Sequence, residues 1–299
     1  MTTPASAATR QDLTFTSGGD LCAAWHYAPP ADGGGGTCIV MAHGFSLTRH
    51  DGLEQFAQAF AAAGSHVLVF DHRHLGDSGG EPRQRFRRGL QLEDWRNAVA
   101  FARSLDGVAA SRIVLWGFSF SGGHAVTLAA ARGAEPPAAV LVLCPFVEGL
   151  RRVIATPPAL SAWILPRSIA DLAGRDLLIP VTGEPGSHAA MTLPGEADGF
   201  AATVPPGSPW RNEISPGIFA SVAFVRPLTR ARRIACPLWV GLGERDVSVH
   251  AGSVAALAER APRGELHRYD VDHFGAFHGA DHEQVVADQV DFLRRSELL

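Results

Sequence analysis

The stretch Leu115–His124, LWGFSFSGGH, places two serines, Ser119 and Ser121, two positions apart among glycines. The run RIVLWGF (112–118) leads into it and an alanine-rich run follows. The first reads as a strand and the second, 121–132, as a helix. A hydroxyl at such a junction is either a nucleophile on a tight turn or a small residue in a softened bend. Gly117 and Ser121 flank Ser119 with small side chains; Ser119 and Gly123 do the same for Ser121. Local spacing alone leaves both serines open.

Working outward, strands and helices alternate. LTFTS and LCAAWHYAP read as an antiparallel hairpin turned at Gly18-Gly19-Asp20. GGGG (33–36) is a loop, and with no helix start behind it a phosphate site is not expected. Strands follow at 37–43 and 65–71, with a helix over 51–63 between them ending at Gly64. LQLEDWRNAVAFARSL is an amphipathic helix with Leu92, Trp95, Val99 and Ala102 on its apolar side. AAVLVLCPF (138–146) is another strand. From 147 to 226 the rhythm breaks into Pro- and Gly-rich sequence with short apolar patches, read as a mainly helical cap or lid insertion too rich in Trp, Ile and Leu to be disordered. The pattern resumes with a strand at 236–243, a helix near 250–261, a strand at 264–271 and a last helix at 281–295. The core is thus expected to comprise 1–146 and 227–299. Such continuous apolar strands predict an α/β fold with a mostly parallel, eight-stranded sheet and helices on both faces.

Ligands of such sheets bind beyond the carboxyl ends of the strands. There the chain places His43-Gly44-Phe45-Ser46, Asp71-His72-Arg73, Ser119, Glu244-Arg245-Asp246 and Asp272-His273. Gly117-Phe118-Ser119-Phe120-Ser121, in strand–turn–helix context, resembles the nucleophile elbow of the α/β-hydrolase superfamily. Ser121 stands where that family usually has glycine, but serine is small enough for the turn. Register favours Ser119, which follows the strand directly, whereas Ser121 falls in the first helical turn. The resemblance implies Asp246 as the acid after the next-to-last strand, with Glu244 as its rival, and His273 as the general base after the last. It also implies an oxyanion hole from the backbone N–H groups of Phe45, in the HGF turn, and Phe120. The opening strands and the layout from HGF to cap look closer to dienelactone-hydrolase-like and acyltransferase-type relatives than to lipases.

Other features are weaker. DHRHLGDSGG (71–80) resembles a D-x-R-x-x-G-x-S-x-G segment of the superfamily, with Arg73 and Asp77 expected to brace the loop. His72 and His74 have no obvious third ligand, so no metal is expected. RQRFRR (83–88) reads as a solvated charged face, with grip on a phosphate-bearing substrate as the rival. His43 is expected to shape its loop. His43, Glu148, Trp163 and Trp210 are candidates to line the pocket; for Glu148 an anchoring salt bridge competes, and for the tryptophans a place in the cap's own core.

Composition narrows the function. All 26 basic residues are arginine, which excludes a Schiff-base, pyridoxal or P-loop lysine. A net charge of −4 gives no nucleic-acid footprint. The longest apolar runs, about eight residues, are too short for a transmembrane helix. The small, polar start MTTPASAATRQD lacks a signal-peptide core, so a cytoplasmic protein is expected. Cys22, Cys38, Cys144 and Cys236 are scattered without CxxC spacing and read as buried thiols. The expectation is a cofactor-free serine hydrolase acting on a small-molecule ester or thioester through an acyl-enzyme. Acyl transfer or thioester hydrolysis on a CoA- or carrier-bound group, a carbon–carbon bond hydrolase with the same triad, and a non-enzymatic binding protein on this scaffold are the alternatives. A homodimer is left open.

Overall fold

The computed structural model describes residues 9–30, 35–133 and 135–299. The start of the chain, on which the signal-peptide reading rests, and Gly33-Gly34 of the glycine loop lie outside them.

Strands β1 (Thr9–Ser17) and β2 (Asp20–Ala28) form the opening hairpin. Gly18 and Gly19 turn it with φ of 55° and 93°, a left-handed pair that matches the twist of the strands. Six more strands follow: β3 (Cys38–Ala42), β4 (His66–Phe70), β5 (Ile113–Phe118), β6 (Ala139–Leu143), β7 (Leu238–Gly243) and β8 (Gly264–Tyr269). They make one sheet in the order β1-β2-β4-β3-β5-β6-β7-β8. β2 runs antiparallel to β1 and β4, and every pairing from β4 through β8 is parallel. β3, β5, β6 and β7 are buried along their whole length, which explains their unbroken apolar sequences. The two edges differ: β1 alternates towards solvent and β8 is only partly covered.

Side-chain alternation along β5 shows what covers each face. Trp116 packs on Phe56 of α1 (Leu53–Ala62) and donates its indole N–H to Gln289 of α8 (Gly279–Arg295), at 3.0 Å. Its neighbour Leu115 points the opposite way, into a cleft lined by Val99 of α2 (Arg88–Ala102) and Leu128 of α3 (Ser119–Ala129). Helix α7 (Ala251–Arg260) packs against β7 and β8. All four cysteines are buried free thiols. No helix among the described residues is long and apolar enough to cross a membrane.

Between β6 and β7 the chain forms α4 (Gly149–Ala155), α5 (Pro158–Ala170), α6 (Glu196–Thr203) and short tight turns at Pro216–Ala220, Val222–Phe224 and Pro227–Arg233. The arginine run 83–88 holds part of this segment, which corrects its reading as a solvated face. Arg87 pairs with Asp171 at 2.7 Å and donates to Ser215 Oγ at 2.8 Å. Arg85 pairs with Asp176, and Arg83 turns inward to the carbonyls of Gly76, Ser78 and Gly80. Phe86 between them is fully buried. Arg83, Arg85 and Arg87 are thus spent on staples rather than left for a phosphate. Arg73 and Asp77 likewise serve separate partners: Arg73 binds Asp94 and Glu93 on α2, while Asp77 pairs with Arg49 and His50.

Candidate active site

The elbow is built by close approach. A Cβ on Gly117 would lie 2.5 Å from the Ser121 carbonyl oxygen, so no side chain fits there. Ser119 itself sits at φ 51°, a left-handed conformation that costs a non-glycine residue energy and that marks functional turns. Gly122 and Gly123 let α3 approach the β6 end: a Cβ on Gly123 would stand 2.3 Å from the Phe146 carbonyl. The Phe146 amide in turn donates to the Ser119 carbonyl at 2.7 Å.

Three strand ends converge on this turn. His273 Nε2 lies 3.0 Å from Ser119 Oγ, and His273 Nδ1 lies 2.6 Å from Asp246 Oδ2. The other oxygen of Asp246 accepts from the amides of Ser248 (2.7 Å) and Val249 (3.1 Å), which fixes the carboxylate against the ring. The Asp246 side chain is wholly buried and that of His273 is 4% exposed. These partners define the tautomer: Nδ1–H donates to Asp246, leaving Nε2 to accept the serine proton.

The rivals stand elsewhere. Ser121 is buried with its hydroxyl 3.4 Å from His72 Nε2, away from His273. Glu244 pairs with Arg268 at the surface. Asp272 is a turn residue, accepting from the amides of Phe274 and Gly275. Among the other histidines, His267 binds Glu265, and the His282 ring packs edge-on against Phe56.

The HGF turn abuts the elbow: a Cβ on Gly44 would be 2.8 Å from that of Ser119. His43 is buried, accepts the Gly44 amide on Nδ1 at 2.8 Å and donates from Nε2 to the Asp51 carbonyl at 2.5 Å. Burial pushes its pKa down to about 3, so it is a neutral loop staple. Neither the Phe45 nor the Phe120 amide has a protein acceptor among the described residues; Phe120 lies in the first turn of α3, where helical N–H groups are free.

Phe45, Ser119 and Phe120 line one cavity, together with Phe146, Arg152, Ala190, Met191, Ile218, Phe219, Val222 and Ser248. None of the four pocket-lining candidates from the sequence lines it. His43 is turned into its own loop. Trp163 stacks on His188 and carries the Arg167 guanidinium over its ring, 4.1 Å from the centroid. Trp210 donates its indole N–H to Ser46 at 3.0 Å and packs on Phe200. Glu148 lines a neighbouring cleft and pairs with Arg226 at 2.7 Å. The residues missed in the sequence are Phe146, Arg152, Ala190, Met191, Ile218, Val222 and Ser248. No periodicity flags them, because they meet only through the tertiary path of the segment between β6 and β7.

Two groups of metal-ligand type occur among the described residues: Cys144 with Asp246 and His273, and His50 with Asp71 and Asp77. In the first, Asp246 and His273 are bonded to each other, and burial holds the Cys144 thiol well above its usual pKa. In the second, the Arg49 guanidinium pairs with both carboxylates. Both donor sets are thus already engaged. His72 and His74 do not converge either: His72 faces Asp94 and Ser121, and His74 lies under Gly80.

This sheet and this elbow define an α/β-hydrolase, and comparison with known proteins agrees. A family model described as serine aminopeptidase, S33, matches residues 36–284. The quorum-quenching protein AidA of Acinetobacter baumannii is 35% identical over 289 residues, covering 95% of this chain and 94% of that one. The thiohydrolase aneE of Aspergillus aculeatus is 31% identical over 158 residues, half of this chain (50%) and 49% of its own. The crystal structure of the α/β hydrolase GrgF from Penicillium sp. superposes with a TM-score of 0.80 at 26% identity, covering 96% of this chain and 99% of that one. The chain belongs to the serine aminopeptidase, S33, family of α/β-hydrolases and is an enzyme.

Proposed function

We propose that the enzyme is a serine hydrolase that cleaves a carboxylic ester or thioester through an acyl-enzyme on Ser119. The observation that carries this reading is the single ring of His273 bridging Ser119 and Asp246. Ser119 Oγ attacks the carbonyl carbon while His273 Nε2 takes its proton. Asp246 holds the ring and stabilises the imidazolium. The negative oxygen of the tetrahedral intermediate is received by the Phe45 and Phe120 amides. Collapse breaks the bond to the alcohol or thiol, which leaves with the proton from His273. Water, deprotonated by the same nitrogen, then releases the acid and restores Ser119. Catalysis by this route calls for no metal and no cofactor.

In this reading residues 147–226 form a cap over Ser119. The support is the cavity wall, to which that segment contributes Arg152, Ala190, Met191, Ile218, Phe219 and Val222. The wall is mostly apolar, which suits an acyl chain. A relative named as a thiohydrolase favours including thioesters, and one named for quorum quenching extends the substrate range to be tested to lactones. A screen of esters, thioesters and lactones of graded chain length, run beside Ser119→Ala, tests the proposal: turnover of at least one class that the variant lacks is expected, and equal turnover by both proteins refutes it.

A further inference from the structure

One charged side chain lines the mostly apolar cavity at Ser119: Arg152, on α4. It also lines the two adjoining clefts, one opening between α4 and α5 and one towards Val247–His250. It is thus common to the walls of all three. Glu196, at the start of α6, grips it with both oxygens, at 2.7 and 3.2 Å. Glu196 is itself 1% exposed and takes two further donors, the Leu193 amide and Ser248 Oγ, each at 2.8 Å. A guanidinium has five N–H donors. The carboxylate engages one on each terminal nitrogen, so donors remain for another acceptor.

Charge decides which acceptor fits. Glu196 cancels the charge of Arg152, so an incoming carboxylate would lose its hydration with no net positive charge to meet it. A carbonyl or hydroxyl oxygen loses much less on entering and still gains a hydrogen bond from a charged donor. A bare hydrocarbon chain leaves the remaining donors unpaired in an apolar site, which is costly.

We propose that the Arg152–Glu196 pair is a specificity subsite, selecting acyl groups that carry a neutral oxygen acceptor along the chain over plain hydrocarbon chains and over chains ending in a carboxylate. This rests on the serine-hydrolase reading, with Ser119 acylated in the same cavity. The pair also bridges α4 and α6, so a purely structural role must be separated from selection.

The test compares p-nitrophenyl esters of ten-carbon acids: the plain chain, chains bearing an oxo group at successive positions, and a chain ending in a carboxylate. For the wild-type protein, kcat/KM is expected to be about tenfold higher for at least one oxo position than for the plain chain, and lowest for the carboxylate. In Arg152→Met/Glu196→Gln, which removes the charge of both partners together, that ratio should fall towards one, whatever the absolute rates. Arg152→Lys, which keeps the charge but loses the fork, should retain only part of it. A merely structural pair would slow all substrates alike and leave the ratio unchanged. A wild-type ratio near one, a preference for the carboxylate, or a ratio unchanged in both variants overturns the inference while Ser119-dependent turnover stands. Turnover that survives Ser119→Ala would instead remove the parent reading.

Discussion

His273 Nε2 stands 3.0 Å from Ser119 Oγ although 154 positions separate the two residues. The sheet produces this proximity. β5 ends at Phe118 and delivers Ser119; β8, separated from β5 by β6 and β7, ends at Tyr269 and delivers His273 by a four-residue reach. β7, next to β8, supplies Asp246 to the other side of the ring.

Asp246→Asn keeps the shape of the acid but replaces one acceptor oxygen by a donor that cannot hold the Nδ1–H tautomer. A fall in kcat of about 10³–10⁴-fold is expected, with KM little changed. Steady-state kinetics on the best ester measures it; a loss under tenfold would show that Asp246 does not orient the base.

Ser121→Ala separates the two serines of the elbow. The Ser121 hydroxyl faces His72 at 3.4 Å, a long contact, and none of the triad residues. Its removal is expected to leave kcat/KM within about threefold of wild type, since a weak hydrogen bond contributes on the order of 1 kcal/mol or less to stability. A collapse of activity in a well-folded Ser121→Ala protein would reverse the assignment.

Gly123→Ala places a methyl group 2.3 Å from the Phe146 carbonyl, against backbone that cannot swing aside. Overpacking of this kind costs about 1–3 kcal/mol, and the melting temperature and kcat are expected to fall together because Phe146 is tied to Ser119. Gly89→Ala in α2 meets nothing within 4 Å and should leave the melting temperature equal or higher, since alanine is the better helix former. Differential scanning fluorimetry of the two variants distinguishes close packing from a general intolerance of glycine replacement.

Stability is expected to decline in acid. Burial and the neighbouring His66 lower His26 to about 4, and burial lowers His43 to about 3, against 6.5 for a free histidine. Below about pH 6.5 the unfolded chain binds protons that the folded protein refuses, so stability rises with pH across this window. The histidine contribution is complete above about pH 6.5 and is lost as pH falls towards the folded values. Burial raises Asp51 and Asp71, which opposes the trend in part. The melting temperature should drop from about pH 7 to about pH 5, and His26→Asn should flatten that slope. A pH-independent melting temperature over the same range contradicts this.

The sheet was legible in the sequence because β3, β5, β6 and β7 are buried on both faces and so read as unbroken apolar runs. The elbow was legible because its sterics demand glycine at 117 and small residues beyond it. Asp246 and His273 were legible because polar residues just after strand ends of such a sheet face the ligand side, and the α/β-hydrolase resemblance gave each its role. The cavity wall was not legible. Arg152, Met191 and Phe219 come from three separated stretches whose mutual placement follows from tertiary packing, and nothing in their local pattern distinguishes them from Trp163 or Trp210. The arginine run at 83–88 misled because its partners, Asp171, Asp176 and Ser215, lie 84 or more positions away in sequence, or for Arg83 are backbone carbonyls close by.

Labelling the folded protein with a fluorophosphonate probe and mapping the modified peptide by mass spectrometry tests whether Ser119 is the acylated nucleophile. One adduct is expected, on Ser119, absent from Ser119→Ala and strongly reduced when His273 is replaced by alanine. An adduct on Ser121, or undiminished labelling and ester turnover in Ser119→Ala, would mean that Ser119 is not the nucleophile.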